Sequence, residues 1–530
     1  MKKMSRYTRF SACVSAIALL TLSGCAVGPD FVSPSPPDVD RFTPEKLTSI
    51  GSSEKDKLRL ELDASVPQRW WEAFRDEKLN KLIAAAIEHN PSIQAADAAI
   101  KIAYFNAEAQ KGAFLPTAAF NSTNQYLQQN FVQNFQNGNP TNPTGDPTIP
   151  YKPYGLFLKQ LSITYNVDIW GGNRRAVESL EAQTDQQRYQ LEAVYLTLTS
   201  NVAAAAVFEA SLRGQIAAIQ RVIVIEKELL EILKNRLQVG SSSQADFFMQ
   251  QTALGQAMQL LPPLEKQLAQ QRDLLTALAG QYSTAQVPET FNLDHLQLPK
   301  TLPLTLPSTL VRQRPDIRAS EANMHAAAAQ IGVAIAARLP SLTLTPQLGY
   351  SAFDLAKIFV PASGFYVLAG SVAHTIFDGF ALLNKQKAAE AGLVLADAQY
   401  RQSVILAFQN VADALRALQA DTKAVKAARF TEESARKSLA IAKGQLKIGS
   451  ISLIELLNAQ QAYLTASVAR VQAEGNRLAD VVGLFMALGG GWKDANLRDL
   501  PLSEPGSPTN AQIETINGPV NSSWFPSFLD

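Results

Sequence analysis

Two periodicities run along this chain, and each occurs twice. Val404, Phe408, Val411, Leu415 and Leu418 step by 4, 3, 4 and 3, the spacing of a coiled-coil seam. Val222, Ile225, Leu229 and Ile232 do likewise. Proline is absent from Tyr154 to Leu261 and from Ala362 to Leu500, which permits unusually long helices. A helix from about Phe380 to Lys447 would extend roughly 100 Å, at about 1.5 Å per residue. No compact domain holds such a rod, so an extended assembly is expected. Across residues 160–169 every odd position is apolar and every even one polar, and 341–350 alternates too, with an imperfection at Pro346. Ten-residue alternation is what a transmembrane barrel strand needs, though a soluble sheet with one wet face shares it. Two further candidates, near 117–127 and 365–377, alternate poorly. Four strands cannot close a barrel and lipid tolerates no open edge, so several chains must share one. Two copies would give eight strands and three would give twelve; the pattern does not choose.

The elements repeat. Asn90-Pro91-Ser92-Ile93 returns as Arg314-Pro315-Asp316-Ile317, and Leu115-Pro116 as Leu339-Pro340, both 224 positions later. Arg236-Leu237-Gln238-Val239-Gly240 matches Gln445-Leu446-Lys447-Ile448-Gly449 at 209, and Ala277-Leu278-Ala279-Gly280 matches Ala487-Leu488-Gly489-Gly490 at 210. Four landmarks in one order, with one drop in offset, indicate a duplicated unit whose first copy has a longer middle loop around residues 134–140. Each copy reads helix, two strands, long helix, helix.

Composition changes the picture only at the N-terminus. The 530 residues carry a formal net charge of +1, which argues for no nucleic-acid partner. Cys13 and Cys25 provide neither a disulfide framework nor a thiolate metal site. Lys2, Lys3, Arg6 and Arg9 precede an apolar stretch too short to span a bilayer, as in a signal peptide. It ends in Leu22-Ser23-Gly24-Cys25, which resembles a bacterial lipoprotein box, so Cys25 is expected to start the mature chain and to carry diacylglycerol and palmitate. Prolines from Pro29 to Pro44 mark an extended tether. No stretch of 18 or more apolar residues follows, so no transmembrane helix is expected.

The ordered motifs resemble the outer membrane factor family, the TolC-like and OprM-like channels, and among them the lipoproteins serving resistance-nodulation-division (RND) pumps. They are Gly24-Cys25-Ala26-Val27-Gly28-Pro29-Asp30-Phe31, Asp168-Ile169-Trp170-Gly171, Arg312-Gln313-Arg314-Pro315-Asp316-Ile317, Ile376-Phe377-Asp378-Gly379 and Leu488-Gly489-Gly490-Gly491-Trp492. The resemblance implies an α+β membrane protein: a homotrimer whose outer-membrane β-barrel, four strands per chain, continues as a long periplasmic α-helical barrel. It implies the exit duct of a tripartite efflux system, with a periplasmic adaptor, an inner-membrane RND pump and outer-membrane lipid as partners. The corresponding layout is a signal peptide 1–24, a lipidated tether and equatorial segment 25–75, a first repeat 76–285 and an equatorial linker 286–308. A second repeat 309–492 and an equatorial tail 493–530 complete it. Helices over about 88–114 and 244–278 would stack to match one long helix, with a kink at Pro262-Pro263 that the second copy lacks.

The candidate functional site is the periplasmic tip, where each long helix turns back at Gly240 or Gly449, followed by small polar residues. By resemblance, Arg236, Gly240, Ser241, Gln445, Gly449 and Ser450 meet the adaptor, and the next helix turn closes the pore. OprM-like channels place a leucine and an aspartate there; this chain has Ile454 and Asn458. Glu455 stands where TolC-like channels carry a second aspartate, and Asp246 is its counterpart in the first copy. Rings of carboxylates would favour cations and raise one another's pKa values, whereas solvated acids at helix starts would merely suit the helix dipole. Asn458 weakens the case for a cation-selective lock, so closure is expected to rest on Ile454 and on hydrogen bonds through Asn458.

The remaining motifs read as structural. Gly171, Gly172 and Gly379 serve strand-to-helix turns. Gly489-Gly490-Gly491 caps a helix, and Pro315 with Asp316 opens one. The four histidines share no ligand spacing, and the usual phosphate-loop, zinc-protease and nucleophile-elbow patterns are absent. Nothing points to catalysis, a cofactor or a metal. Two alternatives stand beside the efflux channel: an outer-membrane channel for protein secretion by an ABC-type system, and a lipid-anchored structural coiled coil without a pore.

Overall fold

The computed structural model describes residues 26–45, 47–51, 58–127 and 153–491; Cys25, the 134–140 loop and the tail from Trp492 lie outside the described residues. After an extended N-terminal strap come β1 (Ser49–Ile50), β2 (Leu58–Leu62), α1 (Glu77–His89), α2 (Pro91–Lys111), β3 (Thr117–Leu127) and β4 (Tyr154–Val167). The long helix α3 (Gly172–Gln238) returns as α4 (Gln244–Gln259) and α5 (Leu261–Leu278). The second copy opens with β5 (Thr301–Leu304), α6 (Pro307–Gln313) and α7 (Pro315–Ala336). It continues through β6 (Ser341–Leu344), β7 (Gln347–Ala352), β8 (Gly364–Val367) and β9 (Gly370–Ala373), then α8 (Ala381–Lys447) and α9 (Leu453–Ala487). Both long helices have 67 residues, or roughly 100 Å at about 1.5 Å per residue.

Local chemistry moved several boundaries. Glu88 and His89 end α1 rather than opening α2, because the residue before Pro91 is kept out of the helical region. Asn90 is extended there and its side chain accepts from Ser92 N at 2.9 Å. The break ahead of Pro262-Pro263 falls at Leu260, so both prolines occupy the first turn of α5, where no N–H is needed; α9 runs unbroken for 35 residues. Ile232 is exposed, and Leu233 takes its buried place. A straight helix of 3.6 residues per turn drifts off a strict seven-residue seam. The seam from Val404 to Leu418 is buried as expected, with Phe408 half-buried. One window of α3 is apolar enough on average to cross a bilayer, against the expectation of none; much of it is buried against neighbouring helices, as a core face is.

The strands form one antiparallel sheet with four ribbons in the order β3, β4, β6/β7, β8/β9. Pro346 splits the third ribbon and Leu368–Ala369 the fourth, yet the ladder carries on: Thr345 N donates to Ala369 O at 2.8 Å and Ile163 N to Pro346 O at 2.9 Å. β4 ends at Val167 rather than residue 169, because Asp168 turns away to accept from Asn173 N and Arg174 N at 3.0 and 3.1 Å, opening α3.

The helices form a matching row. α2, α5 and α4 pack along successive lengths of α3, α7 and α9 also pack on α3, and α8 lies against α7 and α9. Sheet and helix row therefore share one order, and each ends on an unpartnered element at both flanks among the described residues. At mid-height a small sheet, β1-β2-β5, ties the N-terminal segment to the inter-repeat linker through the parallel β2–β5 pair. Beside it Trp70 stacks on Phe485 with ring centroids 5.3 Å apart, fastening that belt to the end of α9.

Candidate functional site

The two tips are built alike. Gly240 (φ +73°) and Gly449 (φ +74°) take the left-handed conformation that ends a helix, and open space surrounds both. Gly240 N donates to Leu237 O at 3.1 Å and Ser241 N to Arg236 O at 2.8 Å. In the second copy Gly449 N donates to Leu446 O at 3.2 Å and Ser450 N to Gln445 O at 3.0 Å. These are paired Schellman turns. Both serine hydroxyls donate to the same carbonyls, at 3.1 and 3.2 Å, so Ser241 and Ser450 tighten the turn while staying exposed.

Both acids expected at the gate start the returning helix. Asp246 accepts from Ser243 N at 3.2 Å while its own N–H donates to the Ser243 hydroxyl at 3.0 Å, a reciprocal capping box. Glu455 does the same with Ser452, at 3.1 and 3.4 Å. The helix-start role is thus realised in both copies. Ile454 is 56% exposed, and Asn458 is exposed one turn on. Asn458 lines a groove of about 760 Å³ between α4 and α9, with Phe248, Met249, Leu457 and Leu464. At the 209 offset Met249 matches Asn458 and Phe248 matches Leu457. The first copy therefore presents a thioether and an aromatic ring, 58% exposed at Phe248, a pair that a gate pattern of acids and leucines does not mark. Leu453 and Leu456 are buried with Leu229, Leu233, Leu439 and Ala442, so the tip has a small apolar core of its own.

At the opposite end the strap is clamped where strands give way to helices. Arg175, on α3, is 95% buried by the strap: Nε donates to Val27 O at 3.2 Å, and Nη2 to Gly28 O at 3.3 Å and to Asp30 Oδ1 at 2.6 Å. Nη1 reaches Glu178 at 2.8 Å. Burial pushes the Glu178 carboxyl up, but Arg175 and His325 outweigh it and hold it below its ordinary value. Phe31 stacks on His325 with centroids 4.5 Å apart. Gly28 passes so close to Gly332 of α7 that a Cβ on Gly28 would lie 2.5 Å from its Cα. Val27 N donates to Trp170 O at 3.0 Å, two residues after Cys25 in the sequence. Spacing gives no hint of this clamp, since the strap lies more than 140 positions from the residues that hold it.

Comparison with known proteins agrees with this geometry. The family described as "Outer membrane efflux protein" matches residues 82–281 and 306–490, one span in each repeat. The chain is 29% identical to the pyoverdine export outer membrane protein OpmQ of Pseudomonas putida, over 87% of this chain and 94% of that one. It is 28% identical to the toluene efflux pump outer membrane protein TtgF of Pseudomonas putida, over 92% and 98%. Among solved structures, the CmeC outer membrane channel of Campylobacter jejuni shares the fold with a TM-score of 0.79 at 23% identity, covering 88% and 96%. The MtrE outer membrane channel of Neisseria gonorrhoeae, in its open state, does so with a TM-score of 0.75 at 24% identity, covering 88% and 99%.

Proposed function

This chain belongs to the outer membrane efflux protein family, and from that premise we propose that three copies of it form the exit duct of a tripartite, RND-type efflux system for small toxic compounds. That it is an outer-membrane efflux channel follows from the family and the fold; the stoichiometry, partners and cargo are the reading offered here. The observation that carries it is the shared open edge. β3 and the α2–α5–α4 column end one flank of the protomer, and β8/β9 and α8 end the other. Rotational joining of unlike edges closes sheet and helix row together and removes the strand edges that lipid forbids. Three protomers give twelve ribbons around the barrel and twelve helical columns below it. Apolar side chains left bare on the flanking helices suit such joining: Val394, Ile405 and Phe430 on α8, Ile102 and Phe105 on α2.

The protein does no chemistry in this scheme. A periplasmic adaptor meets the tip turns at Arg236, Gly240, Ser241, Gln445, Gly449 and Ser450, and the start of α4 and α9, with Asp246, Ile454, Glu455 and Asn458, narrows the pore. The adaptor binds the splayed tip better than the closed one, since only differential affinity moves that equilibrium. Acyl chains on Cys25 anchor the chain: Ala26 packs against Gly171, at the point where β4 ends and α3 begins, so lipid there enters the leaflet that holds the base of the barrel. Export of pyoverdine and toluene by systems containing the relatives supports a small-molecule cargo.

The test is a photo-cross-linker at Ser241 or Ser450 in intact cells. Capture of an adaptor that pairs with a proton-driven pump is the expected result. An adaptor of an ABC exporter would move the assignment to protein secretion, and capture of no partner at either tip would sink the tripartite reading.

A further inference from the structure

Two apolar clusters pack the lower helical barrel. The tip cluster holds Leu229 and Leu233 of α3, Leu439 and Ala442 of α8, and Leu453 and Leu456 of α9, with Met249 of α4 against it. The upper cluster holds Ile219, Val222 and Ile223 of α3, Ala257 of α4 and Leu464 of α9, with Leu254 against it. Between them, on each of three helices, stands one buried polar residue: Glu226 on α3, Gln250 on α4 and Gln460 on α9, respectively 4%, 0% and 1% exposed. Gln250 Nε2 donates to the Glu226 carboxylate and, at 3.2 Å, to Glu226 O. Gln250 Oε1 and both amide atoms of Gln460 have no hydrogen-bond partner among the described residues. Burial pushes the Glu226 carboxyl up, against the pull of Gln250 and of Lys443 on α8.

Natural cores leave few such groups unpaired, and a polar layer satisfied in the resting state would need no orphans. We propose that the tip arrangement described here is the closed gate and that Glu226, Gln250 and Gln460 form its slip layer: the amides left unpaired hold α4 and α9 above their minimum and find partners or water once the tip splays. This rests on the channel reading above and adds gating residues to it. The apolar clusters act as the two rigid bodies, with Tyr463 packed against both. The prolines at 262–263 let α4 tilt independently of α5, whereas unbroken α9 must slide as a rod, which is the helix that carries the unpartnered Gln460.

The experiment replaces Gln460 by methionine, a side chain of similar length without polar atoms, in the full-length channel. Gln460→Met gives up no hydrogen bond in the closed state and removes both orphans. Because each orphan relieved on opening shifts such an equilibrium by roughly tenfold, Gln460→Met is expected to lower open probability in planar bilayers by at least about tenfold. Its thermal midpoint should rise. The double variant Glu226→Met/Gln250→Met is expected to act in the same direction. A raised midpoint with unchanged open probability would make the layer a mere packing defect and overturn the proposal, as would a lowered midpoint for Gln460→Met. The unmodified protein distinguishes the two levels of inference: if it forms no pore, the channel reading falls, whatever the variants do.

Discussion

Removing the Arg175 guanidinium should free the N-terminal strap without unfolding the helices beneath it. Its bond to Glu178 lies within α3 and holds nothing across the junction. The pair with Asp30 contributes at most about 1 kcal/mol, because the Asp30 side chain is 90% exposed and screened by solvent. What Arg175 itself contributes to holding the strap therefore lies chiefly in its bonds to Val27 O and Gly28 O, charge-assisted and part-buried, at about 1.5 kcal/mol each. Losing about 3 kcal/mol raises the population of the detached strap roughly a hundredfold. Trypsin reads that population at the exposed Arg41, provided reclosing outpaces cleavage. Arg175→Ala should accelerate cleavage there by about that factor, and Arg175→Lys, with one ammonium for a three-way fork, should fall between. Cleavage of Arg175→Ala within about threefold of the unmodified protein would refute the assignment of strap stability to these bonds.

Three further outcomes follow from the same geometry. Gly280→Ala should destabilise far more than Gly240→Ala or Gly449→Ala. All three glycines have positive φ, but a Cβ at Gly280 lies 2.5 Å from His89 O, whereas those at the tips meet open space. The tip variants should lose only the left-handed strain, about 1–2 kcal/mol, and equal unfolding midpoints for all three would contradict this. The Asp480 carboxyl is pushed up to about 7 by burial and by Asp421 across the α8–α9 contact. Its native pKa is raised, so its contribution is complete below about pH 4 and is lost as pH rises through about 7. Asp480→Asn should therefore flatten the decline in thermal midpoint between those values, and parallel profiles would disprove it. Gly332→Ala should loosen the strap as Arg175→Ala does, since its Cβ would lie 2.6 Å from Val27 O and 2.7 Å from Arg175 Cγ; an undisturbed trypsin pattern would count against the close approach.

What the sequence disclosed were features carried by local period. The seam from Val404 to Leu418, the alternation over residues 160–169 and the offsets of 209 and 224 positions set two long helices, four ribbons and a duplication, because periodicity in residue type is burial written along one element. Features that depend on another element's approach stayed hidden. Glu226 and Gln250 read as ordinary polar positions, and only the packing of α4 on α3 makes them a buried pair. Arg175 reads as a charge at a helix start until the strap arrives from nearly 150 residues away. The acids Asp246 and Glu455 stand out in the sequence as candidates, whereas Ser243 and Ser452, three residues earlier, declare themselves as caps only in the folded turns. Ile232 lost its buried place to Leu233 through a drift of helical phase that counting in sevens does not register.

One chain leaves the edges of its sheet and helix row unpaired among the described residues. Native mass spectrometry of the protein extracted from outer membranes counts the chains that close them. Three copies per particle is the predicted result, giving twelve ribbons and twelve helical columns. A pair would contradict the trimer, and a single chain would contradict the shared barrel on which the proposed duct depends.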